Sequence, residues 1–143
     1  MRPTRPRILI AAPSAVIGRL ERAFTDDVEV VGAETWDEAV EQLRDAEPDL
    51  VIVCYVFDDM RPFRLLHHMR HDKRRHVPTI LVRAVPVSLG RTQEAEIRES
   101  YRTLGVDEFI NLHDESQEDG PAAALQRFRE SVLSRLSIVT ARE

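Results

Sequence analysis

Apolar residues fall along this chain in short runs that alternate with stretches of helical spacing. Ile8 to Ala11 is the first run, and Pro13-Ser14 breaks it where a buried strand would end. Val16, Ile17, Leu20 and Phe24 then recur on one helical face. Val28, Val30 and Val31 predict a second strand. Thr35 with Glu38 three residues on has the form of a capping box. Trp36, Ala39, Val40 and Leu43 mark the helix behind it, and Pro48 stops that helix. Leu50 to Phe57 is apolar at nearly every position, so both faces of that strand must be covered, the condition of a central parallel strand. Asp58 and Asp59 close it.

Pro62 stands near the first turn of a third helix carrying Phe63, Leu66, Met69 and Arg70. Pro78 precedes a fourth strand, Thr79 to Ala84, and a loop from Val85 to Gly90 leads to a helix with Ile97, Tyr101 and Leu104 on one side. Gly105 sits where a helix C-cap belongs. Glu108 to Leu112 predicts a fifth strand, and Pro121 opens a last helix with Leu125, Phe128, Val132 and Leu136 inside. Five strands alternating with five helices predict an α/β, doubly wound parallel sheet. The expected order is 2-1-3-4-5. A binding site would then lie beyond the carboxyl ends of strands 1 and 3, at Ala12, Pro13, Cys54, Asp58, Asp59, Arg83 and Leu112.

At 143 residues the chain fits one domain, expected over 7–138 between a leader at 1–6 and a tail at 139–143. Twenty Lys and Arg against 25 Asp and Glu give a net charge of −5, which argues against direct nucleic-acid binding. A single cysteine excludes an internal disulfide and a cysteine-rich zinc site. No apolar run approaches the roughly 20 residues of a membrane span, and the basic, Pro-containing leader lacks the apolar stretch of a secretory signal. A cytoplasmic protein is expected.

The order of elements, with Pro48-Asp49-Leu50-Val51-Ile52-Val53-Cys54, then Asp58-Asp59-Met60, and with Gly105-Val106-Asp107-Glu108-Phe109-Ile110, resembles the CheY-like receiver domains of response regulators. Arg7-Ile8-Leu9-Ile10 resembles their first strand. The resemblance covers roughly residues 7 to 136 and implies a flavodoxin-like (βα)5 three-layer sandwich. It breaks at the active site. The acidic pair that holds Mg²⁺ aligns with Ala12 and Pro13, and the phosphoryl-accepting Asp aligns with Cys54. The Ser or Thr that ends strand 4 aligns with Arg83, the Lys that ends strand 5 with Leu112, and the Pro after it with His113.

Mg²⁺ needs oxygen ligands that alanine and proline side chains do not supply. Aspartyl phosphorylation needs a carboxylate nucleophile and cationic groups that offset the transferred charge. The resemblance is therefore to a degenerate pseudo-receiver with no catalytic residue, no metal and no Mg²⁺. Asp58 and Asp59 are nominal replacement acceptors, but carboxylates without a metal or lysine partner ordinarily solvate a turn.

Other residues admit two readings each. Cys54 is either a thiol sensor activated by Arg83 or a small buried hydrophobe. Arg83 either meets a carboxylate (Asp58, Asp59 or Asp114) or reaches solvent along its stem. His67 and His71 share a helix face, yet two imidazoles without a third ligand, beside Arg70, Lys73, Arg74 and Arg75, fit a solvated face better than a metal site. Val85, Val87 and Leu89 on the loop after strand 4 suggest a docking surface, together with Tyr101 and with Leu133 and Ile138 off the inner stripe of the last helix. In the other reading, Val85, Val87 and Leu89 fold back over the emptied site.

The expected function is a non-enzymatic, phosphorylation-independent signalling module that acts through a protein partner, as a homodimer. Were the chain a fragment, the stretch from Ser137 to Glu143 would lead to an output domain. A thiol or small-ligand sensor around Cys54 and Arg83 is the alternative, and a regulator phosphorylated at an atypical Asp is the second.

Overall fold

The computed structural model describes residues 5–55, 57, 62–71, 77–84 and 91–141. The five apolar runs become strands β1 (Arg7–Ala11), β2 (Glu29–Ala33), β3 (Leu50–Cys54), β4 (Thr79–Val82) and β5 (Glu108–Ile110). All pairings are parallel and the order is β2-β1-β3-β4-β5. Between the strands lie α1 (Ser14–Glu21), α2 (Trp36–Asp45), α3 (Pro62–His71) and α4 (Arg91–Thr103), with α5 (Leu112–Asp119) and α6 (Pro121–Ala141) following β5.

The period of two along each strand divides the core. Ile8 and Ile10 of β1, Leu50, Ile52 and Cys54 of β3, and Ile80 and Val82 of β4 face one layer, with Val16 and Leu20 of α1 and Phe128, Val132 and Leu136 of α6. Their neighbours Leu9, Ala11, Val51, Val53 and Leu81 face the other layer, with Ala39 of α2, Leu65 and Leu66 of α3 and Tyr101 of α4. Every residue of β3 is buried, as its uninterrupted apolar run requires.

Three strands stop earlier than the apolar pattern implies. β3 ends at Cys54 because a turn follows, closed by the Phe57 N–H on the Cys54 carbonyl at 3.2 Å. β4 ends at Val82 rather than Ala84, and β5 at Ile110 rather than Leu112. Ala84 and Leu112 are nevertheless buried, so their hydrophobicity marks core and not strand. Leu112 is instead the first residue of α5, a helix beyond the five the sequence suggests. Its N-cap is Asn111, whose side chain accepts from the Asp114 N–H.

The motif residues have visible structural work. Just before β3, the Asp49 carboxylate accepts from the Arg7 N–H at 2.9 Å and the Asp49 N–H donates to the Arg7 carbonyl at 2.7 Å. Just before β5, Asp107 does the same to Thr79, accepting at 2.8 Å and donating at 2.9 Å. Each aspartate therefore clasps the first residue of the neighbouring strand and satisfies its N–H at the amino-terminal rim of the sheet. Gly105 ends α4 at φ +91, with the Val106 N–H on the Tyr101 carbonyl and the Gly105 N–H on that of Arg102. This is the Schellman arrangement, for which glycine avoids the Cβ clash.

Candidate functional site

The opposite, carboxyl-terminal rim is where the crossovers leave a crevice. Ala12 follows β1, fully buried, and its N–H donates to the Ala33 carbonyl at 3.0 Å. Pro13 caps α1 with no side-chain bond, as a residue without a polar side chain must. Cys54 ends β3 with no exposed surface, and Leu112 is 1% exposed. Ala12, Cys54, Ala84 and Leu112 all belong to one apolar cluster. Among the described residues, these rim positions present hydrocarbon and one thiol, which supply no oxygen ligand.

Arg83 follows β4. Its backbone is fixed on both sides, the N–H donating to the Ile110 carbonyl and the carbonyl accepting from the His113 N–H, each at 2.9 Å. The side chain is 13% exposed and its guanidinium donates to Asp114 Oδ1 at 3.0 Å and to Asn111 Oδ1 at 3.3 Å. Among the described residues, Asp114 is a carboxylate that Arg83 meets. Asn111 Nδ2 in turn donates to Asp114 Oδ2 at 2.8 Å, so both carboxylate oxygens are engaged. Asp58 and Asp59 lie outside the described residues.

Sequence reasoning missed Arg19. From α1 it donates to the Ala84 carbonyl at 2.9 Å and to Ser116 Oγ of α5 at 3.3 Å, so a second guanidinium reaches the same rim. No local signal marks Arg19; only the helix it reaches was legible, from Asn111 with Asp114 three residues on, Glu115 after it and Gly120 at the end.

Of the other nominated residues, the described ones, Tyr101 and Leu133, are not brought to this rim. Tyr101, proposed for a docking surface, is only 9% exposed, with its ring edge-on to Tyr55 at 6.3 Å. Burial pushes its phenol pKa up to about 12, with Tyr55 adding to the shift. Leu133, expected on an outer edge, is partly buried against the α1/α6 core because it adjoins the inner stripe at Val132. Val85, Val87 and Leu89 lie outside the described residues, as does the side chain of Ile138.

His67 is exposed. His68 meets Trp36 edge-on at 5.4 Å, and the Arg64 guanidinium lies over the same indole at 4.8 Å. Among the described residues no group of three His, Cys, Asp or Glu is placed to hold a metal ion, and no helix is long and apolar enough to cross a membrane.

No protein-family model and no curated protein matches this chain. Solved structures do match in fold. A CheY-like response regulator receiver domain from Methanospirillum hungatei JF-1 superposes with a TM-score of 0.71 at 18% identity, over 98% of this chain and 100% of that one. A response regulator from Thermotoga maritima gives 0.69 at 16% identity, over 94% and 99%. The chemotaxis response regulator CheY4 of Vibrio cholerae gives 0.66 at 15%, over 93% and 99%. The chain has the receiver-domain fold along nearly its whole length.

Proposed function

We propose that this protein is a receiver-like signalling module that works without phosphorylation and without Mg²⁺, through contact with a protein partner. The observation that carries the proposal is the apolar cluster of Ala12, Cys54, Ala84 and Leu112 at the rim where a receiver does its chemistry. The two described guanidinia at that rim are already committed, Arg83 to Asp114 and Arg19 to Ala84 and Ser116, instead of facing an acceptor carboxylate. What persists is the scaffold, with the aspartate clasps at the other rim, and a scaffold without chemistry acts by presenting surfaces. In this reading the protein is not an enzyme, resides in the cytoplasm and functions as a homodimer. Its docking surface includes Val85, Val87 and Leu89.

Incubation with acetyl phosphate and Mg²⁺, followed by intact mass measurement, tests the proposal. The expected spectrum is unchanged, whereas a stable increment of one phosphoryl group on Asp58 or Asp59 refutes it. The sensor alternative draws support from the nearness of Arg83 to the rim, but Cys54 has no exposed surface, and thiol reactivity needs access as well as a cation.

A further inference from the structure

Helix α5 is ill suited to stand on its own. It has eight residues, four of them acidic, and Glu118 and Asp119 occupy its last turn, where the helix dipole favours cations and no basic residue is present. A helix of this length is not stable in isolation. Leu112 is its one buried residue, and that side chain belongs to the cluster containing Cys54.

What holds α5 is a set of arginines from three other parts of the fold. Arg83 after β4 binds Asp114 and the N-cap Asn111. Arg19 of α1 reaches Ser116 at 3.3 Å. Arg127 of α6 binds Glu115 at 3.3 Å and Asp119 at 2.9 Å. An acidic segment with one apolar anchor and electrostatic fastenings opens more readily than the core beneath it, because its contacts are screened by salt and bury little apolar surface.

We propose that α5 is an arginine-clamped lid on the carboxyl rim of the sheet, and that its release is the conformational switch of this domain. Opening the clamp withdraws Leu112 from the apolar cluster and uncovers the Cys54 end of β3. A receiver-like module that cannot use a phosphoryl group would thereby retain two states at the same rim. The signalling role of the lid rests on the proposed function, while its opening is a separate physical claim.

The chain has one cysteine, so the rate at which Ellman's reagent modifies Cys54 in the native 143-residue chain reports the opening. Arg83→Ala and Asp114→Ala are each expected to raise that rate roughly tenfold, the effect of about 1.4 kcal/mol on an opening equilibrium. The urea dependence should be shallower than that of global unfolding. Arg83→Lys should label nearly as slowly as the parent. Raising KCl from about 0.05 to about 0.5 M should accelerate the parent more than Arg83→Ala.

Labelling that follows global unfolding in the parent and both variants, with the full urea slope, overturns the lid. Asp114 is 52% exposed, so its substitution leaves a folded protein even if Arg83→Ala does not. A phosphoryl adduct would refute the proposed function and leave the lid standing; labelling tied to global unfolding would do the reverse.

Discussion

Placing a carboxylate at the end of β3 is the most direct challenge to the apolar rim. Cys54 has no exposed surface and packs in a cluster with Ala12, Val82, Ala84 and Leu112. An aspartate there is desolvated on folding, which raises a carboxyl pKa by about 3 units or more. At about 1.4 kcal/mol per unit, Cys54→Asp loses about 4 kcal/mol at neutral pH, against a total of roughly 5–15 kcal/mol for a domain.

The sign of the pH dependence follows from linkage. The folded pKa is raised, so between the unfolded value near 3.9 and the folded one the native state binds more protons, and stability falls as pH rises. Urea unfolding of Cys54→Asp, with Cys54→Ala as the size control, should therefore show a midpoint roughly 2 M below the control at pH 7.5. Much of that gap should close near pH 4.5. A Cys54→Asp protein as stable as its control at pH 7.5, or one stabilised by millimolar Mg²⁺, would refute an apolar rim.

Further outcomes follow from other parts of the fold. Asp49→Ala leaves the Arg7 N–H without its carboxylate acceptor and should cost about 1–2 kcal/mol in urea unfolding, with Asn at that position recovering part of it. Gly105→Ala should cost about 1 kcal/mol by the same assay, entirely from its φ of +91, since a Cβ there meets nothing within 4 Å. Tyr101, with its phenol pushed up to about 12 in the folded protein, should resist ionisation at pH 10.5 by ultraviolet difference absorption. Because that pKa is raised above the ordinary value of 10.0, stability should decline between pH 10 and 12, and Tyr101→Phe should lessen the decline. Trp36 is the only tryptophan, so His68→Ala or Arg64→Ala should change its emission while leaving the far-ultraviolet circular dichroism intact.

The sequence alone determined the sheet. Apolar runs of the length of strands, separated by stretches of helical spacing and stopped by Pro48, Pro78 and Gly105, leave few alternatives once crossovers must be right-handed. The uninterrupted run at β3 placed that strand at the centre, because only a doubly covered strand can be apolar throughout. That Ala12 and Cys54 offer no oxygen ligand was also legible, since residue type at a strand end sets the chemistry available there.

The tertiary structure decided the polar contacts at that rim. The meeting of Arg83 with Asp114 depended on where the chain turned after Ile110. That turn depended on a side-chain cap at Asn111, which hydrophobic periodicity does not report. Leu112 read as strand because burial gives the same apolar signal whatever the backbone conformation. Arg19 lies 64 residues before Arg83, and no local pattern connects them; a sheet and two helices bring both guanidinia to the rim where α5 is fastened. Hydrophobicity acts through position along one element and can be read from the chain, whereas the polar contacts at this rim join elements far apart in sequence and exist only once the chain has folded.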